Sequence, residues 1–473
     1  MKKTFVHVLA AFAATLGLGI PAHGGDVFVD AAAASGGDGT SGSPFQTIQA
    51  GVNAASAGDT VWVRGGADRL YTFSSDADQV VVDASKTGLS FKKYGSAGSA
   101  TLSVSSTYVS DGNRQSPVSN LAANVSFSGL AFHYANTSLY QSNKAKIPFL
   151  FSSADYTTFE GCSFKASAPS ERFASGQEFS GIVQLKGAGP TFKKCVFDTT
   201  RAQETITYHY APIMVSADVL IEGCTFTNCN MIVMFESNKR PNATVVSNRF
   251  INCVATYEAC SPSGDPTEGL FRGAYTGFNK LTLAYNLFYN DATMAGKSTV
   301  IVQGCRETYQ GGLLAHHNTI VGWDAFHGKS WLTNEGHPVQ VFNNIFHMNP
   351  GAVNIQEAWY YKTPPQTNNV ATSFKAGSYY KNNFYTGTLN GGTLTQYSGY
   401  NFYKNMTVTN NIAQEPVPQF MSLDPASPDF LRMKTSKTPW VMSGWTGDSG
   451  EYPAYIGAVE PLFIPSGTLL TVR

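Results

Sequence analysis

The chain has 473 residues, with 32 Lys plus Arg against 32 Asp plus Glu and seven cysteines scattered along it. That balance excludes the basic footprint of a nucleic-acid-binding protein, and the sparse, odd cysteine count excludes a small disulfide-stapled scaffold. Beyond the N-terminus no run reaches the roughly 18 uninterrupted apolar residues of a membrane span.

Residues 1–24, "MKKTFVHVLAAFAATLGLGIPAHG", read as a signal peptide: Lys2 and Lys3, an apolar core, then small residues Ala22 and Gly24 around a cleavage point. The mature chain then starts at Gly25, carries 30 Lys plus Arg against 32 Asp plus Glu, and is secreted or periplasmic. Residues 25–66 read as an N-terminal cap. They hold a Ser-Pro helix start at Ser43 and Pro44, a short amphipathic helix with Ile48 and Val52 on one face, and a first strand, "TVWV". Such a helix hides the open edge of a solenoid.

From Val125 onward one octet recurs ten times, as in "VSFSGLAF", "TTFEGCSF", "ATVVSNRF" and "VQVFNNIF", with weaker copies "SYYKNNFY" and "MTVTNNIA". Each reads as a strand flowing into a turn. Its sixth position is occupied in turn by Leu130, Cys162, Cys195, Cys224, Asn248, Asn286, Asn318, Asn344, Asn383 and Asn411. The mean spacing of about 31 residues is that of a solenoid repeat. The fold predicted is all-β, a single-stranded right-handed parallel β-helix over residues 25–460 with an N-terminal capping helix. Coils about 4.8 Å apart let each inward Asn bond the next, and the Cys ladder is small apolar filler. Cys229 and Cys253, each five residues past a ladder position, are placed to stack, bonded or not. Residues 415–460 read as a closing segment and 461–473 as a tail.

The interior of such a solenoid is filled, so chemistry belongs to the longer turns. The intervals Asn248–Asn286 and Asn286–Asn318 are irregular and charged, and "FESNKRPN" packs Glu236, Lys239 and Arg240 into one turn. Arg272 in "GLFRGAYTG" and Arg306 in "QGCRETYQGG" follow at about one coil each, with Tyr309 beside the latter. "AHHNTIVGWDAFHGK" gathers His316, His317, Asp324, His327 and Lys329. Strand alternation turns only one of the paired His outward, and the segment reads as a groove wall with His316 and a sugar-stacking Trp323, or else as a metal pair.

The cap, "LDPASPDFLRM" and "YIGAVE" resemble the ends of secreted pectate-lyase-like β-helix proteins. More locally, "SNKRPNATVVSNRF" resembles the alginate and chondroitin B lyases of polysaccharide lyase family six, in the spacing from Lys239 to Asn248 and Phe250. That resemblance implies a secreted, monomeric polysaccharide lyase cleaving an acidic uronate glycan by β-elimination, with Lys239 as base assisted by Arg272 before Gly273. It also implies calcium at the substrate carboxylate, for which Glu236 and Glu204 are the candidate ligands. The family's acid five residues before the Lys is Met234 here. Arg240, Arg306, Tyr309, His316 and Trp323 are the expected substrate contacts. The chemistry needs a base for the C5 proton and a charge to hold the enolate-like intermediate. For Lys239 to serve, its pKa must fall by about two to three units, roughly 3–4 kcal/mol. A cation about 6 Å away at an effective dielectric near 20 supplies about 2.8 kcal/mol before screening. A non-catalytic glycan-binding β-helix is the alternative. A β-helix glycoside hydrolase is a further one, although the Asn-Thr-Asp and Asp-Asp pairs of the pectin hydrolases are missing.

Overall fold

A computed structural model describes residues 24–67, 69–95, 98–109, 116–134, 148–166, 182–199, 212–229, 232–235, 241–253, 269–273, 279–294, 300–303, 312–323, 325–328, 338–349, 353–355, 376–386, 388–390, 406–413, 417–434 and 438–462. The proposed signal peptide and most of the proposed tail lie outside them. Three all-parallel sheets of thirteen, twelve and eleven strands run side by side, and the chain visits the first, second and third in turn before stepping to the next coil. This is the right-handed parallel β-helix that the octets predict.

The octet geometry explains the winding. Its third and last residues point inward and stack on their counterparts. Phe91, Phe127, Phe159 and Phe192 form one column at 4.9, 5.2 and 4.9 Å. Phe132, Phe164, Phe197, Phe226, Phe250 and Phe288 form another at 4.6–5.0 Å. The fifth residue turns the chain from first to second sheet by adopting φ between 51° and 69° in Gly129, Gly161, Lys194, Gly223, Ser247, Tyr285, His317, Asn343, Asn382 and Asn410. That left-handed conformation is why Gly and Asn dominate the position.

The sixth residue then points inward, and the Asn ladder forms. Asn286 Oδ1 accepts from both the main-chain N–H and Nδ2 of Asn248, each at 3.0 Å. Asn286 Nδ2 donates back to Val245 O at 2.9 Å and forward to Asn318 Oδ1 at 3.0 Å. The pattern repeats through Asn318, Asn344, Asn383 and Asn411. Each amide thereby serves two neighbouring coils, which satisfies groups that water cannot reach. Cys224 joins the ladder, its N–H donating to Asn248 Oδ1 at 2.8 Å. The Sγ atoms of Cys162, Cys195 and Cys224 reach back to Phe127 O, Phe159 O and Phe192 O much as the Asn amides do. All five described cysteines, including Cys229 and Cys253, are buried free thiols.

Both ends depart from expectation in detail. The first strand is Asp26–Val29, paired in register with Thr60–Val63, so "TVWV" is the second. The helix is Ile48–Ala54, capped by Thr47 Oγ1 accepting from Ala50 N at 3.2 Å. Ser43 and Pro44 lie in the preceding loop, which Phe45 ties to Phe28 and Asp30. Ile48 and Val52 are buried as predicted. The segment 417–462 folds back along the outer face of the second sheet. Phe430 and Leu431 cover Leu287 and Val321, while Met433, Val441 and Ile456 cover Ile345 and Phe384. Trp440 stacks on Phe384 at 4.4 Å. Trp445 exchanges two hydrogen bonds with the side chain of Asn343, at 2.7 and 2.8 Å.

Candidate functional site

The closing segment covers the C-terminal half of the second sheet. In the third sheet one register row runs through Val81, Ser119, Phe151, Gln184, Met214, Met234, Arg272 and Gln303. Arg272 is thus placed on this row, in the strand Gly269–Gly273. Its partner on the preceding coil is Met234, and Gly273 pairs with Phe235. The position where the family resemblance calls for an acid is therefore the one directly beside Arg272 in the sheet.

Lys239, Arg240 and Glu236 lie outside the described residues, and so does the Arg272 side chain. Chain order fixes the connection that carries them: it leaves the strand Val233–Phe235 of the third sheet and enters Asn242–Val246 of the first. The register partner of Arg272 is Met234, five residues before Lys239 in sequence. Arg306 and Tyr309 are also outside the described residues. In sequence they fall between Val300–Gln303 of the third sheet and Gly312–His316 of the first.

Three predicted residues fall elsewhere. Glu204, outside the described residues, belongs to the connection between Val196–Asp198 of the second sheet and Ile213–Val215 of the third. Trp323 is fully buried and meets Phe288 edge-on at 6.1 Å, so it is a core residue and not a groove wall. Gly322, at φ 75°, ends the strand before it and turns the indole inward.

His316 ends the first-sheet strand Gly312–His316 and is also buried. His317 has φ 52° and leaves the strand, so its ring does not alternate to the opposite face. Both rings lie beneath the closing segment. Their Nδ1 atoms are 3.0 Å apart, and His317 Nε2 is 3.2 Å from Pro453 O. His316 stacks on Phe342 at 5.0 Å and packs against Tyr452 at 5.1 Å. Burial pushes His316 down to about 3, helped by the neighbouring His317, and His317 down to about 4. Both are neutral and structural, holding the closing segment to the coils. Among the described residues no group of three or more His, Cys, Asp or Glu could hold a metal ion.

The sequence matches no protein-family model and no curated protein. Among solved structures it is similar to pectate lyase Pel9A, with TM-score 0.55 and 11% identity over 93% of this chain and 97% of that one. A rhamnogalacturonan lyase gives TM-score 0.46 and 12% identity over 88% and 98% of the two chains. A PL6 family polysaccharide lyase from Pseudopedobacter saltans gives 0.40 and 12% over 82% and 95%. At such identity the first likeness shows a shared fold, and nothing finer follows from the others.

Proposed function

We propose that the chain is a polysaccharide lyase acting on an acidic, uronate-containing glycan by β-elimination. The observation that supports this reading is the register of the third sheet, in which Arg272 and Gly273 pair with Met234 and Phe235, the latter four residues before Lys239 in sequence. In the proposed reaction Lys239, as the free amine, takes the C5 proton. The electron pair left behind forms the C4–C5 double bond as the C4–O bond breaks, and the departing oxygen takes a proton from water. Arg272 holds the C6 carboxylate, whose oxygens gain charge as the proton leaves. Arg306 and Arg240 would supply further positive charge, and Tyr309 a ring for a sugar face.

Calcium would neutralise the same carboxylate. Glu236, three residues before Lys239 in sequence, and Glu204 are the candidate ligands. No step is routed through a metal here. The test is a panel of alginate, pectate and a glycosaminoglycan, each with and without chelator, followed by the ultraviolet absorbance of the conjugated unsaturated uronate. A rise with one polymer supports the reading. Binding to a polymer without that rise makes the chain a glycan-binding β-helix instead.

A further inference from the structure

Four to five coils before the Arg272 strand, one corner of the solenoid carries an aromatic that its backbone does not favour. The residues that open the first-sheet strands there are Gly58, Gly88, Asn124, Tyr156 and Gly189, all left-handed, with φ of 80°, 79°, 59°, 58° and 61°. They are equivalent. The N–H of each of the first four donates to the carbonyl just before its counterpart on the next coil, at Thr87, Ala123, Asp155 and Ala188. Gly and Asn are the residues that this conformation accepts, and a tyrosine there is strained. Strain of this kind persists where the side chain has a use.

The surroundings hold the ring and leave it open. A Cβ at Gly187 would fall 1.9 Å from Ala154 O, and one at Gly189 would fall 2.8 Å from the Tyr156 ring. The two turns therefore stack without side chains between them, and the phenol rests on the glycine turn. Tyr156 is nonetheless 56% exposed. On the adjoining face of the third sheet Phe151 points outward between the inward Leu150 and Ser152, and the exposed Lys186 places Nζ 5.9 Å from the Phe151 ring centre. The nearby Asp155 carboxylate is turned to the backbone, accepting from Ala188 N at 2.7 Å.

We propose that Tyr156, Phe151 and Lys186 form a remote subsite for an acidic polysaccharide running along the solenoid axis. The two rings would take sugar faces, and the ammonium a uronate carboxylate. The proposal rests on the acidic-glycan reading above. It extends that site, because Phe151 belongs to the register row that continues through Gln184, Met214 and Met234 to Arg272. The row spans four coils, about 19 Å, so only a chain of several sugars reaches both.

The experiment compares wild type, Tyr156→Gly and Lys186→Gln for retention by alginate and polygalacturonate in affinity electrophoresis, and for affinity toward short and long oligouronates. Tyr156→Gly is expected to keep or raise the Tm, because glycine relieves the left-handed strain. Binding of long oligouronates is expected to weaken roughly three- to tenfold while short ones bind as before. Lys186→Gln should weaken long-chain binding and reduce its salt dependence. Unchanged long-chain binding in both variants overturns the subsite, as does a lowered Tm in Tyr156→Gly with binding intact, which would make the tyrosine a packing residue. Wild type retained by neither polymer removes the acidic-glycan reading and the subsite together. Retention without unsaturated product removes only the lyase chemistry.

Discussion

Replacing Asn286 by Leu removes one rung of the interior ladder and nothing on the surface. Two groups lose their partner, the Asn248 main-chain N–H and one proton of Asn248 Nδ2, and Val245 O loses its side-chain donor. Asn318 Oδ1 keeps the Asn286 N–H at 3.0 Å, and Asn248 Nδ2 keeps Ile221 O at 3.0 Å. An orphaned buried polar group costs about 1–3 kcal/mol, so the two together predict a loss of roughly 2–6 kcal/mol. Thr244→Ala, exposed on the first sheet, should change stability by less than about 0.5 kcal/mol. Guanidinium unfolding followed by intrinsic fluorescence measures the global loss, and hydrogen exchange locates it. The Asn248 amide and the coils on either side should exchange faster, because a solenoid transmits damage only to its neighbours. A loss below about 1 kcal/mol with the Asn248 amide still protected would refute the ladder as a source of stability.

Acidification should loosen the closing segment. Burial holds His316 at about 3 and His317 at about 4, against an unfolded value near 6.5. The unfolded chain thus binds more protons below pH 6.5, and stability is complete above that pH and falls as pH drops toward 4. At pH 5 each ring contributes a loss of about 2 kcal/mol. Thermal melts across that range should show it, and His316→Phe with His317→Asn should flatten the dependence. Gly322→Ala should cost more than about 2 kcal/mol in chemical denaturation, since φ is 75° and the new Cβ would fall 2.1 Å from Asn290 O. Trp440→Ala, which removes the ring stacked on Phe384, should cost about 3–5 kcal/mol and open residues 417–462 to limited proteolysis.

The solenoid was legible because its stacking residues repeat: Asn at one octet position is a column of satisfied amides, and Phe at two others is a pair of aromatic columns. The conformation of the fifth position was equally present in the sequence, as Gly129, Gly161, Gly223, Asn343, Asn382 and Asn410, but it goes unread when the octet is treated as one strand. That omission accounts for His317, because alternation holds only while φ stays extended. His316 misleads because the closing segment covers it, with Tyr452 at 5.1 Å. Trp323 misleads because Gly322 turns the chain into the core. The fold-back of residues 417–462 is visible only afterwards, in the apolar outward residues Leu287, Val321, Ile345 and Phe384 that need cover. Tyr156 leaves a trace in the sequence only once its row is aligned with Gly58, Gly88, Asn124 and Gly189.

The charged residues were legible in composition and spacing, and strand register bears only on the strands that flank them. Sequence spacing alone set Lys239 opposite Arg272 at 33 residues, whereas pairing sets Met234 there. The difference is five residues of turn, which no periodicity resolves because turn lengths vary from coil to coil.

The most direct measurement is the rate of unsaturated-uronate formation by wild type and Lys239→Ala on whichever acidic polymer the wild type cleaves, with polymer binding and unfolding of both proteins measured alongside. Loss of the base should lower the rate by about a hundredfold to ten-thousandfold while binding and stability stay near those of the wild type. A Lys239→Ala protein that forms product at the wild-type rate would contradict the assignment and place the base elsewhere.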